Sequence, residues 1–211
     1  MKKTCEEIML PLVSIPEKAN YSLPDENLLA FYNDLEERVF WIDDEINEYT
    51  LNLAHYILKW NREDKGIPTE ERKPIRLLIH SPGGSLDILG VIYDVIRLSE
   101  TPIIGINMGQ AYSAAAMILL ACHKRYGLKK SSVLFHKGSC QGVGGSFEEI
   151  KAAMHEYERQ VEELSDIILE RTSFERDEVE KKMKGDWYID AESCVEKNVY
   201  DGIITSINDL I

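Results

Sequence analysis

Apolar positions along the chain switch between two periods, and the switching predicts the elements. Asn27 to Glu37 places Leu28, Phe31, Tyr32 and Leu35 on one helical face, and Arg38 to Ile42 follows as a strand. Tyr49 to Trp60 returns to helical spacing through Leu53, Ala54, Ile57 and Leu58. Asn61 to Lys73 is charged, carries Gly66 and Pro68, and reads as a surface loop. Three strand–turn–helix units come next. Ile75 to His80 is a strand closed by Ser81-Pro-Gly-Gly84, and helical spacing resumes from Leu86 to Ile96. Pro102 to Met108 is a short buried strand, and Ala114 to Cys122, apolar on every side, is a helix buried all round. Ser132 to His136 is the third strand, followed by the glycine-rich segment 138–145. Phe147 to Arg171 is the clearest helix, with Phe147, Ile150, Met154, Tyr157, Val161, Leu164 and Ile168 spaced by three and four. Ser173 is expected to cap a short helix ending near Gly185, Asp190 to cap Ala191–Lys197, and Gly202 to Thr205 to form a last strand.

Strands alternating with helices predict an α/β fold with a mainly parallel sheet. Residues 1–24, with three prolines and an extended piece at Leu10–Val13, read as an arm, and 25–211 as a single domain. In such sheets, sites form beyond the C-terminal ends of strands. Those turns carry Gly83-Gly84, Ser113 and His136.

Ser113, at a strand-to-helix junction, meets free amides and the positive end of a helix dipole. It reads either as a helix cap or as a nucleophile beside an oxyanion site. A serine nucleophile needs a base, and the base an orienting group. His136, ending a strand, is the best-placed base; His55 and His155 fall mid-helix, while His80 and His123 are less suited. Among the carboxylates, Asp186 precedes Trp187-Tyr188, expected to shield it from water; Asp190 is a helix cap, and Asp166 and Asp177 lie on charged faces. One amide of Gly83-Gly84 with that of Ala114 would make a two-donor oxyanion hole.

The rest of the composition narrows the class. The 211 residues are 44% hydrophobic and 29% charged, as in ordinary soluble domains. No apolar run is long enough to cross a bilayer, and no signal-peptide core follows Met1, which predicts a cytoplasmic protein. A net charge of −13 argues against nucleic acid or an anionic membrane as partner. Cys5, Cys122, Cys140 and Cys194 are scattered without zinc spacing and read as reduced thiols, with no metal or cofactor implied.

Ile79-His-Ser-Pro-Gly-Gly84, the run from Gly105 to Ser113, Leu134-Phe-His136 and Gly185-Asp186 together resemble the proteolytic subunit of the Clp protease, over roughly Glu36 to Ile207. That resemblance implies a crotonase-like α/β fold and an ATP-dependent serine endopeptidase. Ser113 is then the nucleophile, His136 the base and Asp186 the acid, with Gly84 and Ala114 as oxyanion amides. It also implies seven-membered homo-oligomeric rings stacked face to face, a chamber for unfolded polypeptide and a partner AAA+ ATPase. Residues 147–171 resemble the protruding helix by which rings meet, and 138–145 the strand that pairs with substrate. The family's Asp-Arg pair before the acid is Lys184-Gly185 here. Two rivals stand beside this reading: an acyl-CoA hydratase or isomerase on the same fold, and a catalytically silent ring subunit.

Overall fold

The structure, a computed structural model, describes residues 26–139 and 144–210. The expected extended piece at Leu10–Val13, Cys5, Cys140 and the middle of the glycine-rich segment lie outside the described residues. The described residues divide between two units, one beginning at Asp34 and the other ending at Asn33. Of the latter, residues 26–33 are described and belong to helix α1 (Glu26–Glu36).

A seven-stranded sheet organises the larger unit. Strands β1 (Val39–Ile42), β2 (Ile75–Ser81), β3 (Ile103–Tyr112), β4 (Lys124–Leu128) and β7 (Gly202–Ile204) lie side by side in that order. β5 (Ser132–Phe135) also pairs with β3, and β6 (Trp187–Asp190) pairs with β5. Every pairing is parallel except β5 with β6.

β3 is the hinge of this arrangement. Its first half, Ile104 to Asn107, pairs with β4, and its last three residues, Gln110 to Tyr112, pair with β5. The sequence pattern ends this strand at Met108, because Gly109-Gln110 interrupts the apolar run. Pairing with Ser132–Leu134 carries the strand four residues further, to the edge of Ser113.

Helices α2 (Leu51–Glu63), α3 (Leu86–Leu98) and α4 (Ala114–Ala121) contribute to the main core. All eight residues of α4 are buried, as expected of a helix apolar on every side. Full burial of a leucine or isoleucine side chain stabilises by about 1.5–3 kcal/mol, so Ile118, Leu119 and Leu120 anchor it firmly. A smaller cluster comprises Val39, Leu78 and Ile106. Cys122 and Cys194 are buried free thiols, and burial pushes both up to about 12, which makes them inert filler.

Helix α5 (Phe147–Arg171) starts and ends where the periodicity placed it, fixed by a capping box between Ser146 and Glu149. Only Leu164 and Ile168 on it are buried, and Phe147 at its start is 75% exposed. Among the described residues, no helix is long and apolar enough to cross a membrane.

Four local expectations are corrected. Helix α2 runs on to Glu63, into the stretch read as a loop. Helix α6 (Arg176–Lys182) is capped at Glu175 and not at Ser173, whose amide instead donates to the Lys197 carbonyl. Strands β4 and β6 lie where no strand was expected. In β4, Lys124-Arg125 hides the pattern: Arg125 is buried and its guanidinium donates to the Arg171 carbonyl. Asp190 caps helix α7 (Ala191–Glu196) as expected, accepting from the Ser193 amide.

Candidate active site

Ser113 lies between β3 and α4 with φ 55° and ψ −124°, a region that non-glycine residues rarely enter. Its side chain makes no capping bond, so the reading of this serine as a helix cap is set aside. The backbone is held instead. The Ser113 amide donates to the Leu134 carbonyl at 2.9 Å, and its own carbonyl accepts from Ala116 and Met117. Buried α4 on one side and β5 on the other over-determine the strained turn, in which Ser113 is half-buried.

The Gly83-Gly84 turn packs directly against it. Gly83 has φ 98°, and a Cβ there would lie 2.7 Å from Ser113 Cβ and 2.6 Å from the Tyr112 carbonyl. Glycine is needed both for the dihedral and for the approach. Ile46 clamps the turn: its amide donates to the Gly83 carbonyl at 2.8 Å, and its carbonyl accepts from the Ser85 amide at 2.9 Å. These bonds form a parallel bridge between Ile46 and Gly84, in which the amide of Gly84 itself points to the opposite side. That amide has no acceptor among the described residues. Ala114, as the first residue of α4, has no intrahelical acceptor for its amide either.

His136 directly follows β5. Its Nδ1 lies 3.2 Å from Oδ1 of Asp186, which directly precedes β6. Antiparallel pairing of Phe135 with Trp187 sets these two side chains opposite each other, fifty residues apart in sequence. The expected shielding of Asp186 is not observed: its side chain is 60% exposed, against 28% for His136. Alternation along β6 explains this. Trp187 turns into the core against Phe135 and Phe174, Tyr188 turns outward, and neither covers the carboxylate. Among the described residues no hydrogen bond joins Ser113 to His136.

Ser113, His136, Gly83 and Gly84 all line one cleft of about 540 Å³. Residues that the sequence reading passed over line it too, among them Glu45 and Tyr157. The Tyr157 hydroxyl donates to the Lys137 carbonyl at 2.7 Å and so ties α5 to the residue after His136. On α5 this tyrosine falls in the apolar stripe, where spacing alone gives it no distinction. The remaining histidines are employed elsewhere. His123 Nδ1 accepts from the Ile103 amide, and burial holds its ring below the usual range. The His80 ring packs against Gly109, and His55 and His155 are exposed on helices. Asp166 and Asp177 are exposed on helices, as expected.

Comparison with known proteins places the chain in a family. The sequence model described as Clp protease matches residues 26–207. An ATP-dependent Clp protease proteolytic subunit of Dehalococcoides mccartyi is 30% identical over 173 residues, covering 81% of this chain and 83% of the relative. ATP-dependent Clp protease proteolytic subunit 2 of Treponema pallidum is 34% identical over 140 residues, covering 65% of this chain and 70% of the relative. Among solved structures, a mutant of ClpP1 from Listeria monocytogenes superposes with a TM-score of 0.72 at 21% identity, covering 86% of this chain and 99% of that one. That likeness shows the fold, the α/β crotonase-like architecture. With the family match spanning most of its length, the chain belongs to the Clp protease family.

Proposed function

We propose that this protein is a serine endopeptidase, the proteolytic subunit of an ATP-dependent Clp-type protease, working through Ser113, His136 and Asp186. The observation that carries the reading is the convergence of Ser113, His136 and the glycine turn on one cleft, with Asp186 Oδ1 beside Nδ1 of the imidazole.

The chemistry follows from those positions. Asp186 accepts the Nδ1 proton of His136 and so leaves Nε2 as the basic nitrogen. Nε2 takes the Ser113 proton as Oγ attacks the peptide carbonyl. The amides of Gly84 and Ala114 receive the developing oxyanion, and one such donor is worth about 10²–10³ in rate. The imidazolium then protonates the leaving amine, and water releases the acyl group by the same route in reverse. The long or absent serine–histidine hydrogen bond of a resting site tightens when substrate binds or the particle assembles.

Unfolded polypeptide is the substrate, held as an added strand by its main chain, which gives loose sequence preference. Rings of this subunit enclose the sites, and a partner AAA+ ATPase feeds them. The exposed start of α5, with Phe147, Ile150 and Met154, is the surface through which rings meet.

A fluorophosphonate probe tests the core of this reading. Wild type is labelled at Ser113; labelling and peptidase activity vanish in Ser113→Ala and fall in His136→Ala. Light scattering run in parallel reports the assembly. A folded, assembled wild-type protein that takes no label is the silent subunit, and the peptidase reading fails.

A further inference from the structure

The three chain segments bearing the proposed triad are joined not only by backbone pairing but by one transverse row of side chains just before the site. Tyr112 pairs with Leu134, and Leu134 with Tyr188, so the row crosses β3, β5 and β6. Residues in such a row project from one face of the sheet. Tyr112 immediately precedes Ser113, Leu134 stands two before His136, and Tyr188 two after Asp186. The tyrosine rings meet edge to face, with centroids 5.6 Å apart and planes at 87°. The Tyr112 hydroxyl is hydrogen-bonded to Ser132 Oγ at 2.8 Å, a second link from β3 to β5 on that face.

We propose that Tyr112 and Tyr188 are positioning residues, a clasp that holds the Asp186 end of the site in register with the Ser113 end. The proposal rests on the triad reading above. β6 is four residues long and, among the described residues, pairs on one side only, with β5. Asp186, at its exposed start, has His136 as its hydrogen-bond partner. Trp187 anchors the inner face of β6 against Phe135 and Phe174. On the outer face the tyrosine contact is what resists a tilt of the strand about that anchor. An error of about 1 Å at a reacting centre costs on the order of a hundredfold, so a small tilt of Asp186 reaches the rate.

The test uses the full-length assembled protein and a peptide substrate. Tyr188 is 60% exposed, so Tyr188→Ala is compatible with folding, and its thermal midpoint and particle size stay near wild type. Its kcat is expected to fall about tenfold with KM within about twofold, and Tyr188→Phe, which keeps the ring, to retain wild-type rate. Tyr112→Phe keeps the stack, loses the Ser132 bond and falls only about twofold. The decisive measurement is the double variant: in an Asp186→Ala background, Tyr188→Ala lowers kcat no further, because the clasp acts only through that carboxylate. A Tyr188→Ala protein as active as wild type overturns the clasp, and so does a loss that multiplies in full with Asp186→Ala. If Ser113→Ala keeps wild-type activity, the triad reading has failed and the clasp falls with it.

Discussion

Ser113 and Asp186, the two ends of the proposed triad, are held by opposite means. The serine sits on a strained turn between a ten-residue strand and a helix whose eight residues are all buried. The aspartate is 60% exposed, at the start of a four-residue strand paired on one side. Conformational strain at the proposed nucleophile needs a rigid support, and here the hydrophobic core supplies it. The proposed acid needs only to reach one imidazole nitrogen, His136 Nδ1. Its position can therefore be set by a few surface contacts, at little cost to stability.

The contrast can be broken from either end. Asp186→Asn has the largest expected effect, a loss of about 10³-fold in kcat with the thermal midpoint almost unmoved, since the side chain is exposed and buries nothing. Parallel steady-state kinetics and calorimetry measure it, and a large drop in melting temperature would show that the acid end also supports the fold. Leu119→Ala comes next, with the opposite signature. Leu119 is fully buried in α4, and its truncation destabilises by about 3 kcal/mol, read by denaturant unfolding. Residual activity per folded molecule stays close to wild type if α4 serves only as support.

The smallest effect lies away from the site and sharpens the comparison by isolating plain stability. The Arg38 guanidinium forks onto Asp64 at 2.7 and 2.8 Å, and Thr101 adds a hydroxyl at 2.7 Å. Hydrogen bonds from Arg38 hold the Asp64 carboxyl below its ordinary value despite its burial. A depressed carboxylate stabilises fully above its unfolded value, near 4, and loses that contribution as pH falls below it through the folded value. Asp64→Asn is expected to cost about 2 kcal/mol at neutral pH and to flatten the acid limb of stability below pH about 4. An unchanged acid limb in urea titrations would remove Asp64 from that role.

Much of the candidate site is legible in the sequence. Ser113, His136 and the glycine turn each sit where an apolar run breaks at a strand end, and periodicity marks such breaks. Helix α5 was readable to the residue, because one helical stripe of twenty-five residues is unambiguous. What stayed hidden depends on partners distant in sequence. Arg125 reads as surface until the Arg171 carbonyl is seen to receive it. Trp187–Asp190 is too short to declare itself a strand without β5 beside it. Asp186 could be chosen among the carboxylates only by resemblance, since nothing in local spacing ties it to His136.

The amino-acid order alone determined the alternation of strands and helices, the buried character of α4 and the candidate nucleophile, because these follow from periods and residue types along a few turns of chain. Tertiary structure decided which side of Gly84 faces the cleft, how far β3 extends, and which exposed carboxylate meets the imidazole. Those are matters of register between strands far apart in sequence, and register is fixed by pairing across the sheet, where no local pattern reaches.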